Sequence, residues 1–230
     1  MTTRAAAAHL ATIRSRPGRR VVSVPAAAGV AFIAAWATGL AAWPANLTVA
    51  ASSAEVVSAY AGHRGAAVMQ YLLVEGVAAI ALAVVVTALA RFALRRGAQR
   101  SGRVVLVAGI SAVIVSLVEC ALGLVLTLGA VPAGRTGLAG GLFDLINRLD
   151  GVKMAALATM ALGAVILARR GALLPRWLGW IGVALAAAML VSGVGYLLLD
   201  DTLAQAAAAS LALLLTWVAA TGTAVGRRSR

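Results

Sequence analysis

Six long apolar runs, interrupted by charge only at Glu75, Glu119 and Lys153, divide the sequence, and no other feature restricts the fold so strongly. They cover residues 24–43, 67–90, 104–130, 152–168, 177–199 and 203–225, lengths of 17 to 27 residues. A helix rising about 1.5 Å per residue needs about 20 residues to cross a bilayer. In lipid a single segment must satisfy its own backbone hydrogen bonds, so each run is expected to be a helix. Composition agrees, with 62% apolar residues, 12% charged and a mean hydropathy of +0.97, against about half apolar and a quarter charged in soluble domains. The reading is all-α, a bundle of six transmembrane helices. Its 230 residues leave only short loops, which excludes a separate soluble catalytic or DNA-binding domain.

The net charge of +13 would suggest nucleic acid in a soluble protein. Here the basic residues, 19 Arg and one Lys, sit in clusters at alternate ends of the runs. Sixteen of the 20 fall in residues 1–23, in the second and fourth connections and in the tail 226–230, and by the positive-inside rule these segments are cytoplasmic. Both termini are then inside a bacterial plasma (inner) membrane, no nucleic-acid partner is expected, and anionic lipid is expected against the Arg-rich face. The first run can also be read as a signal peptide, with small residues near Ala50; its 20 residues exceed the usual core of such a signal, which favours a span.

Two short amphipathic helices are expected on the outer face. Ser52-x-x-Glu55 is a capping-box pattern followed by Val56, Val57 and Tyr60 at helical spacing, with Gly62 placed to stop the helix. After a flexible link over 132–141, Leu142, Leu145, Ile146 and Leu149 repeat at i, i+3, i+4, i+7. This predicts an amphipathic start to the fourth span, near Leu142, broken or bent at Gly151. The two segments together would cover Glu75 as a lid.

Glu75 and Glu119 are the acidic residues inside the runs, and an intramembrane carboxylate is a functional candidate by default. They lie 8 and 11 residues from the outer ends of their spans, about 12 and 16 Å at the helical rise. Tyr71 shares a face with Glu75, Tyr196 lies on a comparable face of the fifth span, and Ser116 belongs to a stripe of small and polar residues, Gly109, Ala112, Ser116, Glu119, Cys120, Gly123 and Thr127. Such a stripe suits close helix packing or a polar cavity. Lys153, near the start of its run, reads either as an outer interface anchor or as a partner of the two carboxylates. The candidate binding residues are therefore Glu75, Glu119, Tyr71, Ser116, Lys153 and Tyr196. The five tryptophans read mostly as interface belt, and an outer metal site from His63, Glu55, Asp144, Asp150 and Asp200 has no defined spacing.

The lone Cys120 gives no disulfide or Cys-based metal framework, and His9 and His63 both lie outside the runs, so no bis-histidine haem is available. No cofactor, bound metal or catalytic residue is expected. The motifs of zinc hydrolases, serine hydrolases and phosphate-binding loops are missing, which argues against an enzyme. The leading expectation is a membrane-embedded partner or sensor subunit, with oligomers possible. Its alternatives are a small transporter or channel-like protein taking a proton, cation or amine at Glu75 and Glu119, and a lipid-modifying enzyme using the two as acid and base. The segments Leu142 to Met154 and Leu174 to Trp180 resemble a group of uncharacterised six-helix integral membrane proteins of high-GC bacteria, in families of unknown function. That resemblance implies a multi-pass membrane protein and transfers no site residue.

Overall fold

The computed structural model describes residues 23–43, 47–169 and 174–228. Its elements are α1 (Val24–Ala42), α2 (Ser53–Gly62), α3 (Arg64–Arg95), α4 (Gln99–Ala130), α5 (Thr136–Arg169), α6 (Arg176–Leu198) and α7 (Asp201–Arg228). All but α2 are long and apolar enough to cross a membrane, so the chain is an all-helical protein with six candidate spans. The spans pack as consecutive neighbours, α1 on α3, α3 on α4, and so on to α7, which returns against α1 and closes the ring. α1 is held closely in it, because Gly29 lies against the backbone of Ala219 and Gly39 against Val74.

The connections at Arg95 to Gln99 and Arg169 to Arg176, and the end of α7 at Arg227 and Arg228, place the described arginine clusters at one end of the bundle. The expected tail over 1–23 lies almost wholly outside the described residues. At the Arg-rich end and through the middle the core is built by Leu89, Met160, Leu167, Leu185 and Trp217. A second apolar cluster, with Val56, Tyr60, Tyr71, Leu126, Phe143 and Ile146, fills the opposite end and includes α2.

The fourth span departs from the sequence expectation. α5 is one helix of 34 residues that starts at Thr136, within the segment expected to be a flexible link, and continues through Gly151 without a break. Gly151 serves packing instead. A Cβ there would stand 2.7 Å from the Gly193 carbonyl oxygen and 2.6 Å from Leu197 Cγ, so its absence lets α6 approach. Trp217 is also not an interface residue, being 1% exposed in the core, whereas Trp177 and Trp180 are exposed.

The capping box of α2 is present in full. The Ser52 hydroxyl accepts from the Glu55 amide, and the Glu55 carboxylate accepts from the Ser52 amide at 2.8 Å. Gly62 closes the helix from inside it, and His63 provides the cap. The segment before α2 is tied to the start of α7, where the Ala50 amide donates to Asp201 Oδ1.

Candidate functional site

Three carboxylates from three helices meet one ammonium at the seam between the two apolar clusters. On α3 the chain passes from Tyr71 in one cluster to Ala78 in the other across Glu75; α4 passes from Val113 to Leu126 across Glu119; α5 passes from Ile146 to Met154 across Asp150 and Lys153. Lys153 Nζ donates to Glu75 Oε2 at 2.9 Å and to Glu119 Oε2 at 2.5 Å, and it lies 2.6 Å from Asp150 Oδ1. Two of the three N–H donors of the ammonium are thus hydrogen-bonded, and Asp150 completes the set as an ion pair. Lys153 is therefore not an interface anchor that reaches outward. It is 6% exposed, and it gathers three of the chain's seven acidic residues around its only lysine.

Local backbone geometry positions these groups. Residues Tyr71–Val77 form a π-helical segment, in which the amide of Ala78 reaches back five residues to the Leu73 carbonyl. A π turn takes in an extra residue and re-aims those after it, and such turns are frequent at functional sites; a second one, Leu126–Ala130, ends α4. Tyr71 and Glu75, separated by four residues, are both carried inward on this turn. The α4 stripe faces them, and all seven of its members are buried. Gly123 gives the ring room there, because a Cβ at that position would fall into the ring of Tyr71.

Tyr71 does not reach Glu75 or Glu119 with its hydroxyl, which is instead 2.7 Å from that of Tyr60 on α2. Burial pushes the Tyr60 phenol up to about 12, so it stays neutral. Ser116 is buried and lines a small void with Lys153 and Ala79. Tyr196 borders the cluster from α6, on the two larger cavities described next. The sequence pattern places Asp150 with the outer charges and not with Glu75 and Glu119; its i, i+3 spacing from Lys153 on one helix is the signal that joins the two.

Two cavities reach the cluster. One, of 180 Å³, runs from Thr48 and Trp43 past Tyr60 and Tyr71 to Glu75 and Asp150. The other, of 280 Å³, lies between α1 and α7 and touches Glu75, Asp150 and Lys153. Both are shared by Gln70, Val74 and Tyr196. Glu119 is fully buried, and its Oε1 has no hydrogen-bond partner. The same holds for Nδ2 of Asn147, on the wall of the first cavity.

Carboxylate oxygens of Glu75, Glu119 and Asp150 lie within 4.8 Å of one another, a spacing at which one hard cation can be ligated. The Lys153 ammonium already stands among them, so a metal ion would have to displace it. The outer set considered from the sequence is not assembled. Glu55 is held by Ser52, Asp200 accepts from the Leu203 amide, His63 lies near the Ala59 carbonyl, and Asp150 turns inward. Comparison with family models, with curated proteins and with solved structures gave no match, so the site is read from its own chemistry.

Proposed function

We propose that this is an integral protein of the bacterial plasma membrane that takes up a positively charged species, a proton, cation or amine, at the cluster of Glu75, Glu119, Asp150 and Lys153. The observation that carries the reading is a charge imbalance in a buried place. Three carboxylates face one ammonium, and uncompensated charge is expensive where the surroundings are apolar. Neutrality needs two further positive charges, which protons or a cation would bring. The cavities supply the route, since each touches Glu75 and Asp150.

The positive-inside rule gives the direction of that route. With the arginine clusters and both termini in the cytoplasm, the cavity mouth at Thr48 opens outward. The helix α2 and the first turns of α5 then lie amphipathically on the outer face, with Val56, Tyr60 and Ile146 turned into the bundle. Anionic lipid would meet the other face, where Trp177, Arg227 and Arg228 line a cleft of 610 Å³.

A second reading has its own support. Lys153 pairs with carboxylates of α3, α4 and its own α5, so the same cluster can act as a cross-link whose protonation reports to a partner, as in a sensor subunit. Proteoliposomes containing a trapped pH dye separate the two. Under the transport reading the protein carries protons or dissipates an imposed cation or amine gradient, and Glu75→Gln, Glu119→Gln and Asp150→Asn each slow this by about tenfold or more. Fluxes equal to those of empty liposomes, for the unaltered protein with protons, sodium, potassium and methylammonium alike, would refute transport.

A further inference from the structure

The chain is poor in aromatic residues, which make up 5% of it, yet five of the eleven line one cavity. Its three tyrosines, Tyr60, Tyr71 and Tyr196, all border the 180 Å³ cavity, and Trp43 and Phe143 complete the wall. Tyr60 stands at the centre of this group. Its ring centroid is 5.0 Å from that of Trp43, 6.4 Å from Tyr71 and 6.5 Å from Phe143, with the Trp43 and Phe143 rings steeply inclined to it. The rest of the core is filled mostly with Ala, Val, Leu and Met, with Phe32 and Trp217 as its buried aromatic members.

The charged groups of the same cavity are of one sign, and its other polar groups are hydroxyls and the amides of Gln70 and Asn147. Glu75 and Asp150 present carboxylates to it, and each has one oxygen committed to Lys153 and a second not so committed. Asn147 is 7% exposed, and its amide includes a buried atom without a partner. An amide can turn either its carbonyl or its N–H toward a ligand, since the two ends exchange by a flip. None of the lining residues is a cation.

We infer that this cavity is a binding site for a small organic ammonium ion, its charge held by Glu75 and Asp150, its carbon substituents against the rings of Trp43, Tyr60 and Phe143, and Asn147 bonding a polar group of the ligand. The inference rests on the cation-uptake reading and narrows it to one substrate class. Ring faces attract a cation through their quadrupole, most strongly when both are desolvated, and aromatic boxes are the usual recognition device for alkylated ammonium groups. A bare sodium or potassium ion would gain little from the rings, so the aromatic part of this wall favours an organic ammonium ion over it. The neutrality of Tyr60 keeps its ring and hydroxyl in the form that suits such a ligand.

The test is equilibrium binding of radiolabelled choline to the full chain in detergent or nanodiscs, with proton uptake recorded on the same preparation. Saturable binding is expected, displaced by tetramethylammonium and not by equimolar sodium. Trp43→Leu should weaken it by about 2- to 30-fold, the range one ring is worth to a cation, and Trp43→Phe, which keeps a ring, should retain most of it. Asp150→Asn should weaken it also. Sodium competing as well as tetramethylammonium, or Trp43→Leu binding choline like the unaltered protein, would overturn the aromatic site. If the unaltered protein takes up protons through the cluster yet binds no choline, this inference fails alone; if it does neither, the reading beneath it fails as well.

Discussion

Replacing Lys153 by Met, a side chain of similar length without charge, puts the buried cluster to the sharpest test. At an effective dielectric constant of about 20, each ammonium–carboxylate contact of 2.5 to 2.9 Å is worth about 6 kcal/mol of attraction before desolvation. Carboxylate oxygens up to 4.8 Å apart repel by about 3.5 kcal/mol or more per pair on the same scale. Removing one carboxylate therefore gives up one attraction and two repulsions, which nearly cancel. Removing the lysine gives up all three attractions and leaves all three repulsions.

These gross terms are moderated by proton uptake and water entry, so the expected cost of Lys153→Met is the about 3–5 kcal/mol seen when a buried pair loses one member. Glu119→Gln keeps the shape and an acceptor for Nζ, and should cost about 1 kcal/mol. The combined variant Lys153→Met, Glu75→Gln, Glu119→Gln, Asp150→Asn should recover most of the loss. Reversible unfolding in mixed micelles measures all three. A Lys153→Met protein as stable as the unaltered one, or a Glu119→Gln protein as unstable as Lys153→Met, would refute the charge arithmetic.

Two further outcomes are expected away from the cluster. Gly123→Ala should cost about 1–3 kcal/mol by overpacking, since its methyl enters the ring of Tyr71, and the cost should be smaller in a Tyr71→Leu background; equal costs in both would sever the link. At α2, Ser52→Ala should remove about 1 kcal/mol of helix stability, read by amide exchange over residues 53–62. The Ser52 hydroxyl and amide hold the Glu55 carboxyl below the ordinary carboxylate range. Its contribution is complete above that range and fades as pH falls through the lowered value, so exchange in α2 should quicken in acid; pH-independent exchange there would exclude the box as a stabilising element.

Much of the fold is legible because lipid-length apolar runs leave a chain few alternatives. Six runs gave six helices, and their interruptions marked the turns. Short-range chemistry was equally readable, as the capping box at Ser52 and Glu55 shows, because its partners are three residues apart. The small and polar stripe of α4 was also visible, since 3.6-residue periodicity needs no knowledge of the partner helix, and each of its members from Gly109 to Thr127 is buried. What periodicity does not carry is a change of period. The π turn over Tyr71–Val77 has no residue signature, yet it decides where Glu75 points.

The misplacement of Lys153 has a different origin. Asp144 and Arg148 lie on the amphipathic extension that the sequence predicts, and the apolar run itself begins only at residue 152, which leaves the lysine at its outer end. In fact α5 begins at Thr136, so Lys153 stands 17 residues into a helix of 34, about 25 Å from its start. The charges that looked like an end are spent within the fold: Arg148 donates to the Leu197 carbonyl at 2.9 Å, and Asp150 is bound to Lys153. A rule that assigns charge to water fails where opposite charges are paired across helices, because the pair and not the residue is what the apolar interior must accommodate. The same oversight hid Asp150 and the imbalance of three carboxylates against one ammonium. That imbalance depends on which helices meet, information that a single run of sequence does not hold.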